Sequence, residues 1–256
     1  MTKAETSPAS HRRFQHAIVA GGSIAGLLAA RVLADHFERV TVLERDVIGG
    51  RAEPRTGVPQ GRHVHALLLR GRMIIETLFP DITSDLCDRG AMLLDAGEDI
   101  AWHHSGGWRT RPDFSFRILS MSRPLLEGMI AQRVRELPNV TIVEGARIGG
   151  LVGDGNGRIA GIRLHGSEEN GSETTVRADL VVDALGRGSR MSRWLADLGM
   201  PTPRTELLPA QVAYATRLFE RPAGSEARAI LVTGAPAPRR GRCPSRRSAA
   251  PCPRVR

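Results

Sequence analysis

The stretch that most restricts the fold is His16 to Asp46, HAIVAGGSIAGLLAARVLADHFERVTVLERD. A short apolar run, Ala17 to Ala20, is consistent with a buried strand, and the chain then turns through Gly21, Gly22, Ser23, Ile24, Ala25 and Gly26. A helix follows: Leu27, Leu28, Val32 and Leu33 recur at the three-to-four spacing that lays one helix face on a sheet. Asp35 and His36 signal a turn, and Val40 to Leu43 reads as a second, parallel strand ending on Glu44. This is a βαβ unit with an acidic residue at its far end.

Each part of the unit suits a dinucleotide. Gly21 permits a tight strand-to-helix turn, a small residue at 23 lets the backbone approach a pyrophosphate, and Gly26 lets the helix lie close to the strand. The first helical turn offers unpaired N–H groups and the positive end of the helix dipole to the phosphates. Glu44 stands eighteen residues beyond Gly26, near the ~20 expected of a carboxylate that accepts hydrogen bonds from a ribose. The pattern departs from G-x-G-x-x-G at Ser23, whose side chain costs some closeness of approach but adds a hydroxyl that can donate to a phosphate. A twin-arginine signal is the competing reading, because the uncharged run Ala17 to Ala30 follows Arg12 and Arg13. Three glycines and a serine interrupt that run, Arg31 and Asp35 follow it, and it is shorter than the ~20 apolar residues of a membrane span. No integral membrane segment is expected.

The 256 residues suit one large or two small domains, and 41% hydrophobic with 25% charged residues is ordinary for a globular protein. A formal charge of +9 would suggest nucleic acid or an anionic membrane, so its location matters. From Gly234 to Arg256 there are seven arginines and no acidic residue; setting those seven aside leaves 29 basic against 27 acidic residues. The body is nearly neutral, and nucleic acid is discounted as a partner. Only Cys87 lies in the body, with no disulfide framework, as in a cytoplasmic protein. The histidine pairs His63/His65 and His103/His104 have no carboxylate or cysteine at a ligand spacing, so no metal site is assigned.

Met1 to Gln15 reads as a disordered leader. Val47 to Gln60 is a Gly-, Pro- and Arg-containing loop crossing the C-terminal edge of the sheet, where open α/β folds bind ligands. Arg45, Arg51, Arg55 and Arg62 gather there in sequence; apart from Arg45, each taken singly reads as a solvated loop charge. Val64 to Phe79 has helical spacing, and Asp85 to Arg89 reads as a further short helix. Met92 to Leu94, Ile100 to His103, Trp108 to Thr110 and Phe116 to Leu119 read as short strands inserted into the α/β chain, which usually build a separate sheet. Arg123 to Leu137 is a second clear helix and Val140 to Val143 a third parallel-type strand. Ile148 to Val152 and Ile159 to Leu164 form a hairpin around Asp154-Gly155-Asn156-Gly157. Asp179 to Val182 is a fourth core strand, running into Asp183-Ala184-Leu185-Gly186-Arg187-Gly188-Ser189-Arg190 and a helix from Met191 to Leu198. This second strand-turn-helix corner can meet the same ligand from the other side. Val212 to Phe219 alternates in the strand manner and Ile230 to Val232 reads as another strand.

From Gly234 onward the composition is Arg, Pro, Ala, Gly, Ser and Cys, with Val255 the only large aliphatic, and no core can be built from it. Lys3 is the sole lysine, which suggests GC-rich codons, and such codons read out of frame yield these residues. The expectation is a frameshifted or truncated product whose native sequence ends near Val232; the alternative is a basic linker or a tail for an anionic partner.

With these pieces assembled, the chain resembles the FAD-dependent monooxygenases of the aromatic hydroxylase and epoxidase superfamily, in particular bacterial flavoproteins similar to polyene and polyether epoxidases. The resemblance covers about Ala17 to Val232 and rests on GGSIAGLLAARVLADHFERVTVLERD, PRTGVPQGRHVHALLLRG, SRPLLEGMIAQRV and ADLVVDALGRGSR. It implies an α/β fold: a Rossmann-like FAD-binding domain over 16–203, interrupted by short strands near 91–120, and incomplete substrate-domain strands over 204–233. It implies that Gly21, Gly22, Ser23, Ile24, Ala25 and Gly26 meet the FAD pyrophosphate and Glu44 the adenosine ribose. Arg45 and Arg123 match arginines placed near the phosphates and ribityl chain, and Ala184 and Gly186 would contact the cofactor through backbone. Leu185 replaces the acidic residue of the superfamily's second fingerprint, and the third motif, a Gly-Asp pair before a Pro- and Gly-rich loop, has no match. The implied function is NAD(P)H-driven oxygenation by FAD of a small apolar alkene or aromatic substrate, with no catalytic acid or base assigned and the oligomeric state left open. Two alternatives stand beside it: a truncated, non-catalytic nucleotide-binding remnant, and an FAD-dependent reductase of the isoprenoid type, which the DALGRGS form also resembles.

Overall fold

The computed structural model describes residues 14–48, 53–63, 65, 67–104, 106–113, 116–166, 172–209, 212–217, 219–220 and 229–233. The leader as far as residue 13, Arg51 and the Arg- and Pro-rich tail from 234 lie outside the described residues. In chain order the elements begin with β1 Phe14–Ala20, α1 Ile24–Leu33 and β2 Phe37–Leu43, then α2 Leu69–Leu78 and α3 Ile82–Asp88. The short strands β3 Met92–Asp95, β4 Ile100–His104, β5 Gly107–Trp108 and β6 Arg117–Ser120 precede α4 Arg123–Arg135. After these come β7 Val140–Val143, β8 Ile148–Gly153, β9 Ile159–Leu164, β10 Thr174–Arg177, β11 Leu180–Asp183, α5 Met191–Asp197 and β12 Ala229–Thr233.

Four parallel strands form the central sheet in the order β11-β1-β2-β7. The middle strand, β1, is buried on both faces, which explains its unbroken apolar run. Ala17 and Val19, with Val40 and Val42 of β2, join a core made with Leu27 and Ala30 of α1 and Met129, Ile130 and Val134 of α4. Ile18 and Leu43 face the other way and pack with Leu151, Ile162 and Trp194. Those residues belong to β8, β9 and α5; β10, β9 and β8 form a three-stranded antiparallel sheet. The layers are therefore helices, parallel sheet and antiparallel sheet, with an apolar core in each gap.

By contacts the chain divides into two compact units. One comprises residues 1–93 and 118–220 and carries the layers just described. The other comprises 94–117 and 221–256, and holds the sheet β12-β4-β5, in which β12 runs parallel to β4 and β5 antiparallel to it. The late strand Ile230 to Val232 thus forms and joins the inserted strands. Val212 to Phe219 does not form a strand among its described residues; Val212, Tyr214 and Phe219 are exposed, and alternation without a paired neighbour makes no ladder. The helix expected from Val64 begins only at Leu69, after an uncapped Leu68.

Candidate functional site

The order β11-β1-β2-β7 puts the direction change of the sheet between β1 and β11, because β1 leads rightward to β2 and β11 returns on the other side. In open α/β sheets the crevice at the C-terminal ends of such strands is where ligands bind. Gly21 to Gly26 leaves β1 at that edge, and Ala184 to Gly186 leaves β11 beside it.

The two turns fit each other closely. Gly21 has φ of +106°, and a Cβ there would lie 2.5 Å from the Ala184 carbonyl oxygen. A Cβ on Gly26 would lie 1.8 Å from the Gly21 oxygen, so this glycine lets α1 close onto the strand end. Ala184 N–H donates to the Ala20 carbonyl at 2.8 Å, continuing the ladder into the second turn. That turn is closed by Asp183: it accepts from Leu185 N–H at 3.0 Å and from the Ser189 hydroxyl. The position of the fingerprint's missing acid, Leu185, is thereby not needed to shape the turn. Gly21, Gly22 and Gly26 are buried, Ser23 and Ile24 half-buried, and Ala25 and Gly186 exposed. Ser23 is the N-cap of α1 but makes no side-chain capping bond, so the first-turn N–H groups are left to another acceptor.

Glu44 sits at the end of β2, 7% exposed. Its Oε2 accepts from Gly22 N–H at 2.7 Å and its Oε1 from Asp46 N–H at 3.0 Å. Oε1 keeps a second acceptor position. Arg45, the loop arginine favoured from sequence, is about two-thirds exposed and only 3.7 Å from Asp46. The arginine that enters the corner is Arg55. Its Nε donates to Glu127 Oε1 at 2.8 Å, its Nη2 to the Gly22 carbonyl at 3.1 Å, and its Nη1 stands 3.2 Å from Glu44 Oε2. Burial works against the guanidinium charge, but the hydrogen bond and charge of Glu127, then those of Glu44, outweigh it and raise the pKa of Arg55 above its ordinary value.

Glu127, on α4, is a second residue that sequence reasoning missed. It is 5% exposed, and its Oε2 accepts from the Ser23 hydroxyl at 2.7 Å. The Ser23 proton, expected to serve a phosphate, is therefore committed to Glu127. Arg123 Nη2 donates to Ser23 Oγ at 3.2 Å and lies 3.8 Å from Glu127. Among the described residues, Ser23, Glu44, Arg55, Arg123 and Glu127 thus form one connected group around the start of α1. No local spacing signals it, since Arg55 and Glu127 are 72 residues apart.

His63 and His65 lie outside this group: His63 Nδ1 contacts Thr216 Oγ1 at 3.1 Å and His65 Nδ1 the His63 carbonyl at 2.9 Å. Among the described residues no three His, Cys, Asp or Glu side chains are placed to hold a metal, and no helix is long and apolar enough to cross a membrane. Two shallow cavities are found elsewhere in the larger unit, about 560 Å³ along α2 and about 400 Å³ beside Trp194. The first is an open groove over Met73 and Ile74; neither contains the glycine turns, so the crevice is assigned from topology and donor geometry.

An adenine dinucleotide fits the residues present. The glycines leave backbone open at the turn, Arg123 Nε is buried without a hydrogen-bond partner, and Arg55 Nη1 is buried without a well-aligned one. The first-turn N–H groups of α1, which have no side-chain cap, are donors suited to a pyrophosphate at this turn.

No family model matches the sequence. Protein Rv3254 of Mycobacterium tuberculosis is 37% identical over 229 residues, spanning 86% of this chain and 48% of that protein. PqsL of Pseudomonas aeruginosa, a probable FAD-dependent monooxygenase, superposes with a TM-score of 0.53 at 20% identity over 75% of this chain and 48% of its own. CmlS, a flavin-dependent halogenase, does so with a TM-score of 0.51 at 22% identity over 72% of this chain and 31% of its own. The chain spans about half the length of Rv3254 and PqsL. Glycine turn, acidic strand end, second turn and superposition agree: the chain shares the α/β fold of PqsL and CmlS.

Proposed function

We propose that this chain binds FAD and serves NAD(P)H-driven monooxygenation of a small apolar alkene or aromatic substrate, with residues 16–203 as the cofactor-binding part and the segment 204–233, of which β12 is the strand among the described residues, as the start of a substrate domain. The observation that carries the reading is the close fit of the Gly21–Gly26 turn against Ala184 at the sheet's direction change, with Glu44 at the neighbouring strand end. In this reading the first-turn N–H groups of α1 meet the pyrophosphate, and Arg55 and Arg123 supply the opposing positive charge. Glu44 Oε1 accepts from a ribose hydroxyl. Arg45 adds charge at the rim, and the backbone of Ala184 and Gly186 lines the far side. Bound FAD supplies the oxygen-transferring chemistry, and the protein orients it and excludes water.

The test is an absorbance spectrum of the purified chain, followed by titration with FAD and measurement of NADH and NADPH consumption against oxygen uptake. Flavin bands, saturable FAD binding and coupled oxygen uptake are expected. A folded chain, shown by circular dichroism, that takes up no FAD overturns the proposal. Turnover of NAD(P)H with an isoprenoid and no oxygen moves the assignment to the reductase class.

A further inference from the structure

We infer that Glu127 is a positioning residue for the dinucleotide, an inference that rests on the FAD reading above. A carboxylate beside a phosphate seat is at first sight misplaced, because it repels the ligand's charge. Its contacts give the reason for it. One oxygen, Oε1, holds Arg55 by Nε at 2.8 Å and by Nη2 at 2.7 Å, a two-pronged grip that fixes the guanidinium plane. The other, Oε2, takes the Ser23 hydroxyl proton at 2.7 Å.

Three consequences meet at the start of α1. Arg55, so held, reaches the Gly22 carbonyl at 3.1 Å and turns Nη1 toward Glu44. Ser23 Oγ, its proton engaged, presents lone pairs to Arg123 Nη2 at 3.2 Å. The residue that replaces the middle glycine of the fingerprint thereby ties the turn to α4 across 104 positions of sequence. Glu127 acts on the ligand through Arg55, Ser23 and Arg123: it fixes both cations at the start of α1 ahead of binding, so that little reorganisation remains when an anion arrives.

The experiment compares the full chain with Glu127→Gln and Glu127→Asp variants, titrating each with FAD and with ADP-ribose, which carries the pyrophosphate without the flavin. Phenylglyoxal labelling of Arg55 in the ligand-free proteins, read by peptide mass spectrometry, reports the guanidinium directly. Glu127→Gln should weaken both ligands by tenfold or more and speed Arg55 labelling, while Glu127→Asp, which keeps the charge, recovers part of the affinity and protection. A part that was only structural would lower the melting temperature of both variants without separating Gln from Asp in affinity, and overturns the inference. Wild-type affinity and wild-type labelling in Glu127→Gln likewise overturn it, leaving the FAD reading intact. A wild-type chain that binds neither ligand overturns the FAD reading itself and this inference with it.

Discussion

Gly26 has no room for a methyl group, whereas the neighbouring Gly22 has some. A Cβ at 26 meets backbone, the Gly21 oxygen at 1.8 Å, whereas a Cβ at 22 comes nearest the tip of the Ile48 side chain, Cδ1 at 2.9 Å, which can turn aside, and then the Glu44 Cβ at 3.0 Å. Gly26→Ala should destabilise by about 1–3 kcal/mol and abolish FAD binding, since relief requires α1 to move off the strand end. Gly22→Ala should be clearly milder in the same urea titration, and equal effects would contradict the stacking of the turn. His16 offers a residue-scale test at the opposite end of the sheet. It is 5% exposed, with Nδ1–H donating to the Arg177 carbonyl at 2.7 Å and Nε2 accepting from the Thr41 hydroxyl at 2.9 Å. Burial lowers its pKa below 6.5, aided by the Arg39 charge and opposed by the Arg177 hydrogen bond and Asp179. Between that lowered value and 6.5 the unfolded chain binds a proton that the folded chain refuses, so stability falls as pH drops through this window. A His16→Gln variant should lose this part of the acid-side decline, read from urea midpoints at successive pH values.

At the level of elements, the sequence shows periodicity well and pairing poorly. The β1-α1-β2 unit was readable because one face pattern and two glycines specify it locally, and the β8-β9 hairpin because its turn residues do. β10, Thr174–Arg177, went unmarked: it is a polar strand along the edge of the antiparallel sheet. Arg55 and Glu127 were unreadable for a related reason, since each looks like a solvated charge until the fold brings them together. Asn139, between α4 and β7, is another residue whose partners lie far away in sequence. Its Nδ2 donates to the carbonyls of Ala34 and Phe37 at 2.8 and 2.9 Å, stapling the α1-β2 turn to the start of β7. Asn139→Ala should cost about 1–3 kcal/mol, because it removes two part-buried hydrogen bonds at once. Asn139→Asp, which sets oxygens against those carbonyls, should cost more, and equilibrium unfolding of the two variants decides the order.

Across the whole molecule, burial is uneven. β1 has buried residues from His16 to Ala20 and a paired strand on each side, whereas β4, β5 and β12 contain no buried residue. Hydrogen exchange should therefore be slowest at Ile18, Val19 and Val42 and markedly faster across β4, β5 and β12. Comparable protection in the two sheets would contradict this. The pairing of β1 with β11 also bears on how the chain is made in the cell. From Ala20 to Leu180 is 160 positions, so at ribosomal speeds of ~5–20 residues per second the nascent protein waits roughly 8–32 seconds for β1's second neighbour to emerge. Throughout that wait the most apolar strand keeps one flank open to intruding partners. Chaperones that screen newly made polypeptides would find their target here.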